Sequence, residues 1–179
     1  MIQRIHILGA SGSGTTTLGR ALAARLQCPH FDIDDYFWLP TDPPFTQQRE
    51  RTERAQLLMD DLTAQDAWVV SGSLCGWGDG AIPLFELVVF LWVPHAVRME
   101  RLHHREHARF GERILPGGDM YELSQAFLAW AASYEEGGLD IRSRRLHEEW
   151  LGMLPCPILC FEREYAVEEH LAVLMAGTR

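Results

Sequence analysis

A glycine-rich segment near the start of the chain, residues 9–14 (G-A-S-G-S-G), constrains the fold more than any other feature. It follows a β-rich apolar run, Ile2 to Leu8, which predicts a strand. It precedes Thr16 to Gln27, where apolar residues recur at helical spacing. A strand, a glycine turn and a helix in this order offer backbone N–H groups and a helix N-terminus to an anion. The segment therefore predicts a phosphate-binding loop at the carboxyl end of a parallel strand.

The spacing of the loop is that of the pattern G-x-x-x-x-G-K-[ST], with one departure. Thr15 stands at the lysine position, and Thr16 stands where a hydroxyl ligates the magnesium ion of a nucleoside triphosphate. Small residues let the backbone curl around the phosphates. The residues predicted to bind a nucleotide through this loop are Gly9, Ala10, Ser11, Gly12, Ser13, Gly14, Thr15, Thr16 and Thr17.

The missing lysine leaves two interpretations open. All 16 basic residues of the chain are arginine. Thr15 is uncharged, so it supplies no positive charge that could interact with the β- and γ-phosphates. Losing one preorganised donor costs on the order of 10²–10³ in rate, whereas a well-placed arginine supplies roughly 10³–10⁵. Either arginines elsewhere replace the lysine in a phosphotransferase, or the chain binds a nucleotide and transfers little or no phosphate.

The remainder of the chain alternates apolar β-rich runs with helical stretches, which predicts one α/β unit with a parallel sheet. The further predicted strands are His30–Ile33, Trp68–Ser71, Leu87–Val93 and Pro157–Phe161, with Leu87–Val93 as the central strand. Residues 36–45, with three prolines, are predicted to be irregular. The further predicted helices are residues 47–64, 95–109, 120–136, 140–151 and 166–176.

Composition excludes several classes of partner. The 25 acidic residues outweigh the basic ones and give a net charge of −9, which disfavours direct contact with nucleic acid or an anionic membrane. No apolar run is long enough to span a bilayer, and the N-terminus lacks the plan of a signal peptide. The four cysteines show no C-x-x-C spacing, so we expect a cytoplasmic protein. A nucleotide-driven regulator of DNA is a third, less favoured interpretation.

Arginines supply the positive charge in two clusters. Arg98, Arg101 and Arg105 recur at three and four residues and share one helix face. Histidines lie between them, but a solvent-exposed face explains these better than a metal site, because no further ligand is suitably spaced. For the second cluster, phosphate binding and an ordinary surface helix paired with glutamates are about equally favoured. That cluster consists of Arg142, Arg144 and Arg145.

At this point the chain resembles the nucleoside-monophosphate kinase and shikimate kinase group of P-loop kinases. The loop at residues 9–14 is similar to the group's G-x-x-G-x-G. The segment Glu100–Arg105 (E-R-L-H-H-R), after the strand of residues 89–93, resembles its E-R-L-x-x-R. Asp32-Ile33-Asp34 resembles the Asp-x-Asp that ends the second strand in shikimate-kinase-like members. The Thr-Thr-Thr loop and the sequence D-D-Y-F-W also resemble an adenylate-kinase-related bacterial subgroup with a variant Walker A loop.

The resemblance implies a P-loop NTPase fold, a three-layer doubly wound sandwich with a five-stranded parallel sheet and a helical lid. Within a single domain over residues 1–179, it implies an acceptor-binding insert at about 35–65 and a lid at about 106–140. It further implies ATP as phosphoryl donor, Mg²⁺ as cofactor, and a small-molecule acceptor. The acceptor is a nucleotide or a hydroxyl metabolite, and the group's Asp-Gly-x-Pro-Arg motif for nucleotide acceptors is absent here.

Roles for individual residues follow from the same resemblance. Arg101 is expected to lie against the adenine, and Asp34 to act as base or in the magnesium shell with Thr16. Aromatic and charged residues after the second strand suit a ring-bearing or polar acceptor, and aromatic rings that simply cap the sheet are the less favoured alternative. The expected catalytic residues are Asp34, Arg105, Arg142 and Arg145. The expected acceptor-binding residues are Asp35, Tyr36, Trp38 and Arg49.

Overall fold

The computed structural model describes residues 2–177. Its five strands are β1 (Arg4–Gly9), β2 (His30–Asp32), β3 (Trp68–Ser71), β4 (Leu87–Leu91) and β5 (Ile158–Phe161). Its seven α-helices are α1 (Thr15–Leu26), α2 (Ile33–Phe37), α3 (Arg51–Thr63), α4 (His95–Phe110), α5 (Tyr121–Ala132), α6 (Arg144–Leu151) and α7 (Val167–Gly177). Asp79–Leu84 and Gly111–Ile114 form short 3-10 helices.

The strands form one parallel sheet in the order β2-β3-β1-β4-β5. The predicted α/β class with five parallel strands is therefore confirmed. The prediction that residues 87–93 form the central strand is wrong: β1 is central, and β4 lies beside it and ends at Leu91. Every residue of β4 is nevertheless buried, because β1 and β5 flank it and helices cover both faces.

Successive side chains along the strands point to opposite faces of the sheet and form two apolar clusters, one on each face. Ile7 and Val69 pack with α1 on one face, and Val70 and Phe90 pack with α3 and α6 on the other. This alternation produces the three layers and brings the carboxyl ends of all five strands to one edge. The loops that follow β1, β2 and β3 therefore meet at that edge.

The region after β2 differs most from expectation. A short helix, α2, forms within residues predicted in part as strand and in part as irregular, since the side chain of Asp32 accepts a hydrogen bond from the Asp34 backbone N–H at 3.2 Å and caps it. The prolines lie beyond α2 and do not interrupt it. Helix α3 begins only at Arg51, where the Glu50 carboxylate accepts hydrogen bonds from the first backbone N–H groups. Within residues 2–177, no helix has the length and apolar character needed to cross a bilayer.

His6 lies in the middle of β1 and has no exposed surface. Its Nε2–H donates to the Gly72 carbonyl oxygen at 2.8 Å, and burial lowers its pKa to about 4. His147 on α6 is equally buried, and burial lowers its pKa to about 3. Both rings are therefore neutral in the folded protein at neutral pH.

The two histidines are expected to make the fold acid-sensitive. Their pKa values lie below the unfolded value of about 6.5, so their contribution is present above that pH and is lost as pH falls towards 4. Each group adds at most about 1.4 kcal/mol per pH unit, so we expect the free energy of unfolding to fall by about 2–3 kcal/mol per unit between pH 6 and 5. Urea unfolding across this range measures the slope. His6→Gln should reduce it by about 1 kcal/mol per unit, and an unchanged slope would contradict the assignment.

Candidate functional site

The phosphate-binding loop joins β1 to α1 with the geometry of an anion site. Gly12 and Gly14 take left-handed backbone angles, with φ of 83° and 95°. The Ser13 N–H donates to the Ala10 carbonyl oxygen at 3.0 Å and closes the turn. Gly14 is the N-cap of α1, and no side chain caps this end of the helix. The N–H groups of the first turn therefore point out of the helix without intrahelical partners.

Close packing holds the loop in this shape. A Cβ atom on Gly9 would lie 2.5 Å from the Leu91 carbonyl oxygen, and one on Gly12 would lie 2.8 Å from that of Arg98. The Ser13 hydroxyl is buried and has no hydrogen-bond partner in the described part of the chain. Thr15 and Thr16 open α1 and remain partly exposed. The loop therefore has an unsatisfied hydroxyl and free N–H groups near one another.

A cavity of about 280 Å³ adjoins the loop on the side of α7. Arg101 on α4 borders it, and its guanidinium donates to the Gly12 carbonyl oxygen at 3.4 Å. Arg101 also forms an ion pair with Glu164, in the segment between β5 and α7. The residues that line the cavity are Ser13, Gly14, Thr17, Leu18, Leu91, Arg101, Tyr165, Val167 and His170. Arg101 thus lies beside the loop, at the wall of a space next to it.

Charged groups from four segments meet around Asp34 at the start of α2. Partial desolvation and the neighbouring Asp32 raise the pKa of the Asp34 carboxyl, and the positive charges of Arg142, Arg105 and Arg109 oppose that rise. Three of the residues expected to be catalytic, Asp34, Arg105 and Arg142, therefore lie within electrostatic reach of one another. Asp34, Arg105 and Arg109 are exposed and Arg142 is half-buried, so the cluster is open to solvent. A carboxylate influenced by several arginines is typical of sites that handle anions.

Aromatic rings pack against these arginines and help to fix their positions. The guanidinium carbon of Arg105 lies 5.5 Å from the ring centre of Phe127, and that of Arg142 lies 5.3 Å from the ring of Trp130; both rings belong to α5. Arg109 lies 4.5 Å above the ring of Phe45, in the loop between α2 and α3. Sequence analysis gave Arg109 no role, although its spacing of four residues from Arg105 on one helix was a usable signal.

Three predicted site residues use their polar atoms elsewhere. The Tyr36 hydroxyl donates to Asp61 at 2.6 Å, because this side of α2 packs against α3. Arg49 donates to the Tyr36 carbonyl oxygen at 3.1 Å and pairs with Glu53. These contacts give both residues a structural role, and acceptor binding by either one stays a prediction. Arg145 lies on the solvent side of α6 with its side chain 67% exposed, paired with Glu149, and it is not among the arginines around Asp34.

The two other predicted acceptor-binding residues, Asp35 and Trp38, lie in α2 and directly after it. Asp35 is exposed in the first turn of α2. The Trp38 ring packs edge-on against Phe37 and Phe45, with ring centres 4.9 and 6.0 Å apart, and its backbone pairs with Gln48. Trp38 therefore contributes to the wall of the loop between α2 and α3, and no contact shows whether it also faces a ligand.

Arg54 on α3 belongs to the charged residues after the second strand that suit an acceptor, and its burial was not predicted. Only 8% of its surface is exposed, and its guanidinium carbon lies 4.0 and 5.0 Å from the ring centres of Phe37 and Trp77. Its Nε and one terminal nitrogen have no hydrogen-bond partner in residues 2–177. Arg54 lies four and eight residues before Leu58 and Leu62, which places it on the buried face of α3, and this spacing was a usable signal. Burying an arginine whose N–H groups lack acceptors costs folding free energy, unless a bound anion accepts hydrogen bonds from them.

No group of three or more His, Cys, Asp or Glu side chains that could hold a metal ion occurs in the described residues. The Thr16 hydroxyl at the start of α1 and the carboxylates of Asp32 and Asp34, at the end of β2 and the start of α2, lie at the same edge of the sheet, and oxygen donors of this kind suit a hard cation such as Mg²⁺. Mg²⁺ at sites of phosphoryl transfer is bound largely through substrate phosphates and water, so a protein cage is not required.

Comparison with known proteins agrees with this fold and loop. Residues 5–113 match the family model described as an AAA domain. The chain is 50% identical over 171 residues to the uncharacterized protein YqaC of Bacillus subtilis (strain 168), which covers 96% of this chain and 94% of that protein. The chain belongs to this AAA-domain family.

Solved structures define the fold class further. A shikimate kinase from Acinetobacter baumannii in complex with shikimate aligns with a TM-score of 0.57 at 19% identity, covering 99% of this chain and 95% of that one. A shikimate kinase from Bacteroides thetaiotaomicron gives 0.54 at 22% identity, covering 99% of both chains. A gluconokinase from Sinorhizobium meliloti 1021 gives 0.54 at 19% identity, covering 98% and 90%. The fold is that of the P-loop kinases of the nucleoside-monophosphate and shikimate kinase group.

Proposed function

We propose that the protein is an ATP-dependent phosphotransferase that acts on a small-molecule acceptor. The observation that carries this proposal is the electrostatic action of Arg105, Arg109 and Arg142 on the Asp34 carboxyl, at the strand edge that also carries the uncapped loop. A loop of this kind binds phosphates, and arginines facing a carboxylate suit transfer of a phosphoryl group. The four cysteines are free, which supports a cytoplasmic location.

On the donor side, the N–H groups of residues 11–16 would bind the β-phosphate and the cavity beside Arg101 would take the base. Thr16, with Asp32 or Asp34 through water, would hold Mg²⁺, which neutralises phosphate charge when bound. Arg105 and Arg142 would supply the positive charge that Thr15 lacks. Their positions on α4 and next to α6 suit closure of the lid over the γ-phosphate.

On the acceptor side, Asp34 is the candidate base. Partial desolvation raises its pKa from that of an ordinary aspartate, which makes it a better proton acceptor from a hydroxyl. The acceptor oxygen would lose its proton to the Asp34 carboxylate as it attacks the γ-phosphorus, and the bond from that phosphorus to the β–γ bridging oxygen would break to release ADP. Arg105 and Arg142 would then stabilise the charge on the transferred group.

The unpartnered nitrogens of Arg54 favour an acceptor with a carboxylate or phosphate group. Such an anion would satisfy donors that the protein leaves unpaired, and the rings of Phe37 and Trp77 fix the plane of the guanidinium. Hydrogen bonds from a guanidinium to a carboxylate or phosphate oxygen are charge-assisted and therefore stronger than those between neutral groups. An acidic hydroxyl metabolite is therefore the acceptor class that the site supports best.

A transfer screen with radiolabelled ATP tests this function. The panel contains hydroxy acids, nucleoside monophosphates and uncharged sugars, and we expect product from acidic acceptors only. Arg54→Met should raise KM for the best acceptor about 100-fold, the usual scale for a lost buried ion pair. Arg51→Met, on the exposed side of α3, is the matched control and should leave KM unchanged. Preference for uncharged sugars, or no effect of Arg54→Met, would contradict an acidic acceptor.

Thr15 favours a second candidate, a nucleotide-binding protein with little or no phosphotransfer. In that case ADP binds, and no acceptor in the screen yields product. Thr15→Lys then either has no effect or starts ATP hydrolysis, since the added ammonium reaches the β- and γ-phosphates. Product formation by the unaltered chain would exclude this candidate.

A further inference from the structure

A chain of buried polar contacts runs away from the phosphate-binding loop through the helices behind it. It begins at Arg98 on α4, which has no exposed surface. The Arg98 guanidinium donates to the Ser11 carbonyl oxygen at 3.1 Å and to both carboxylate oxygens of Glu135 at 2.7 Å. One side chain therefore fixes the backbone of the loop to the segment that follows α5.

The contacts continue through Tyr134 and His147. The ring of Tyr134 lies 5.0 Å from the Arg98 guanidinium carbon, and its hydroxyl bonds the Nδ1 atom of His147 at 2.9 Å. The Nε2 atom of the same imidazole bonds the Ser73 hydroxyl at 3.0 Å. His147 is neutral because burial lowers its pKa, so one ring nitrogen donates while the other accepts. Tyr134, His147 and Ser73 are each at most 3% exposed.

The far end of this chain lies on the acceptor side of the site. Ser73 belongs to residues 72–76, the loop after β3, which also contains the half-buried Cys75. The charge of Arg142 acts on Cys75 and also on Asp34. The contacts from Ser11 to Ser73 therefore join the phosphate-binding loop to a loop that borders the Asp34 cluster.

We propose that Tyr134, His147 and Ser73 are positioning residues that hold the phosphate-binding loop and the 72–76 loop in a fixed relation. The polar side-chain atoms of Tyr134, His147 and Ser73 all have hydrogen-bond partners, and a buried network satisfied in this way specifies a single arrangement of the segments it joins. The neutral imidazole with two partners acts as a rigid spacer, because turning the ring breaks both bonds. The role in positioning the two substrates rests on the proposed function, whereas the coupling of the two loops does not.

Tyr134→Phe tests the coupling in the protein without nucleotide. The change keeps the ring beneath Arg98 and removes the partner of His147. We expect amide exchange in residues 72–76 and 11–14 to rise about tenfold, as expected when one buried hydrogen bond that limits local opening is lost. Alkylation of Cys75, followed by peptide mass spectrometry, should also rise about tenfold. Burial raises the pKa of this thiol to about 11, and exposure would increase the reactive thiolate.

Two further variants keep the test decisive. Tyr121→Phe, at the start of α5, is the matched control and should change neither loop. Ser73→Ala removes the other partner of His147 and should reproduce the effect on both loops if Tyr134→Phe folds poorly. Exchange that rises uniformly over the whole chain, or that rises in only one of the two loops, would overturn the proposal.

ADP separates this proposal from the proposed function. In the unaltered protein, bound ADP should slow alkylation of Cys75 about fivefold, and in Tyr134→Phe that protection should disappear while the Kd for ADP stays within about threefold. A merely structural role would not remove the ADP effect selectively. If ADP does not bind at all, the proposed function fails, and amide exchange without nucleotide still decides the coupling. Protection of Cys75 that persists in Tyr134→Phe would overturn it.

Discussion

Replacement of Arg98 by alanine is expected to lower the free energy of unfolding by about 3 kcal/mol. The side chain is fully buried and makes a two-pronged ion pair with Glu135, which is 27% exposed. Removing the arginine leaves a partly buried carboxylate and the Ser11 carbonyl oxygen without their donor. The partial exposure of Glu135 holds the cost near the lower end of the range for broken buried pairs, about 3–5 kcal/mol.

Arg145→Ala is the matched control for this prediction. Arg145 also pairs with a glutamate, but at 3.5 Å and on the surface, so its loss should change stability by less than about 0.5 kcal/mol. Chemical denaturation of the three proteins gives both values. Similar losses for Arg98→Ala and Arg145→Ala would contradict the assignment of Arg98 as a buried structural arginine.

Arg105→Ala is expected to lower kcat for phosphoryl transfer by about 10³-fold, with a change in unfolding free energy below about 0.5 kcal/mol. With Thr15 in place of lysine, the arginines near Asp34 are the charges available to stabilise the transferred phosphoryl group. The effect should appear both with the best acceptor of the screen and in slow ATP hydrolysis by water. Initial rates at saturating ATP measure it.

Arg113→Ala serves as the control for Arg105. Arg113 follows α4 closely and forms an exposed ion pair with Asp119, and it is not among the charges that act on Asp34. Its replacement should leave kcat within about twofold, because a surface pair contributes little to stability or geometry. An Arg105→Ala variant with the rate of the unaltered protein would remove this residue from the proposed mechanism.

The sequence predicted those parts of the protein in which local pattern and tertiary structure agree. Five strands and six of the seven helices follow from alternation and helical spacing, and the loop at residues 9–14 follows from its glycines. Helix α2 was missed because its cap, Asp32, belongs to a strand-like run. The central position of β1 was missed because hydrophobicity ranks strands by burial, and β1 contains Arg4 and His6 while β4 is wholly apolar.

The candidate site likewise contains residues that the sequence predicted and residues that it did not. Helical spacing identified Arg101 and Arg105 as candidate site residues. Arg101 lies beside the phosphate-binding loop, and Arg105 belongs to the charged groups around Asp34. The Tyr134–His147–Ser73 chain could not be found, because its burial depends on contacts between segments distant in sequence. The unpartnered nitrogens of Arg54 depend in the same way on packing against Phe37 and Trp77. Tyr36 and Arg49 were assigned to the acceptor from residue type and position after the second strand, and both form hydrogen bonds within the protein.

Calorimetric titration with ATP and with ADP, each with and without Mg²⁺, tests most directly whether the loop binds nucleotides without a lysine. We expect a Kd in the micromolar range, about −8 kcal/mol for 1 μM, with ATP binding strengthened by Mg²⁺. Gly12→Ala should abolish the heat, because its Cβ would lie 2.8 Å from the Arg98 carbonyl oxygen in a backbone conformation that favours glycine. Absence of binding by the unaltered protein up to millimolar nucleotide would contradict nucleotide binding at this loop, and with it the proposed phosphotransferase.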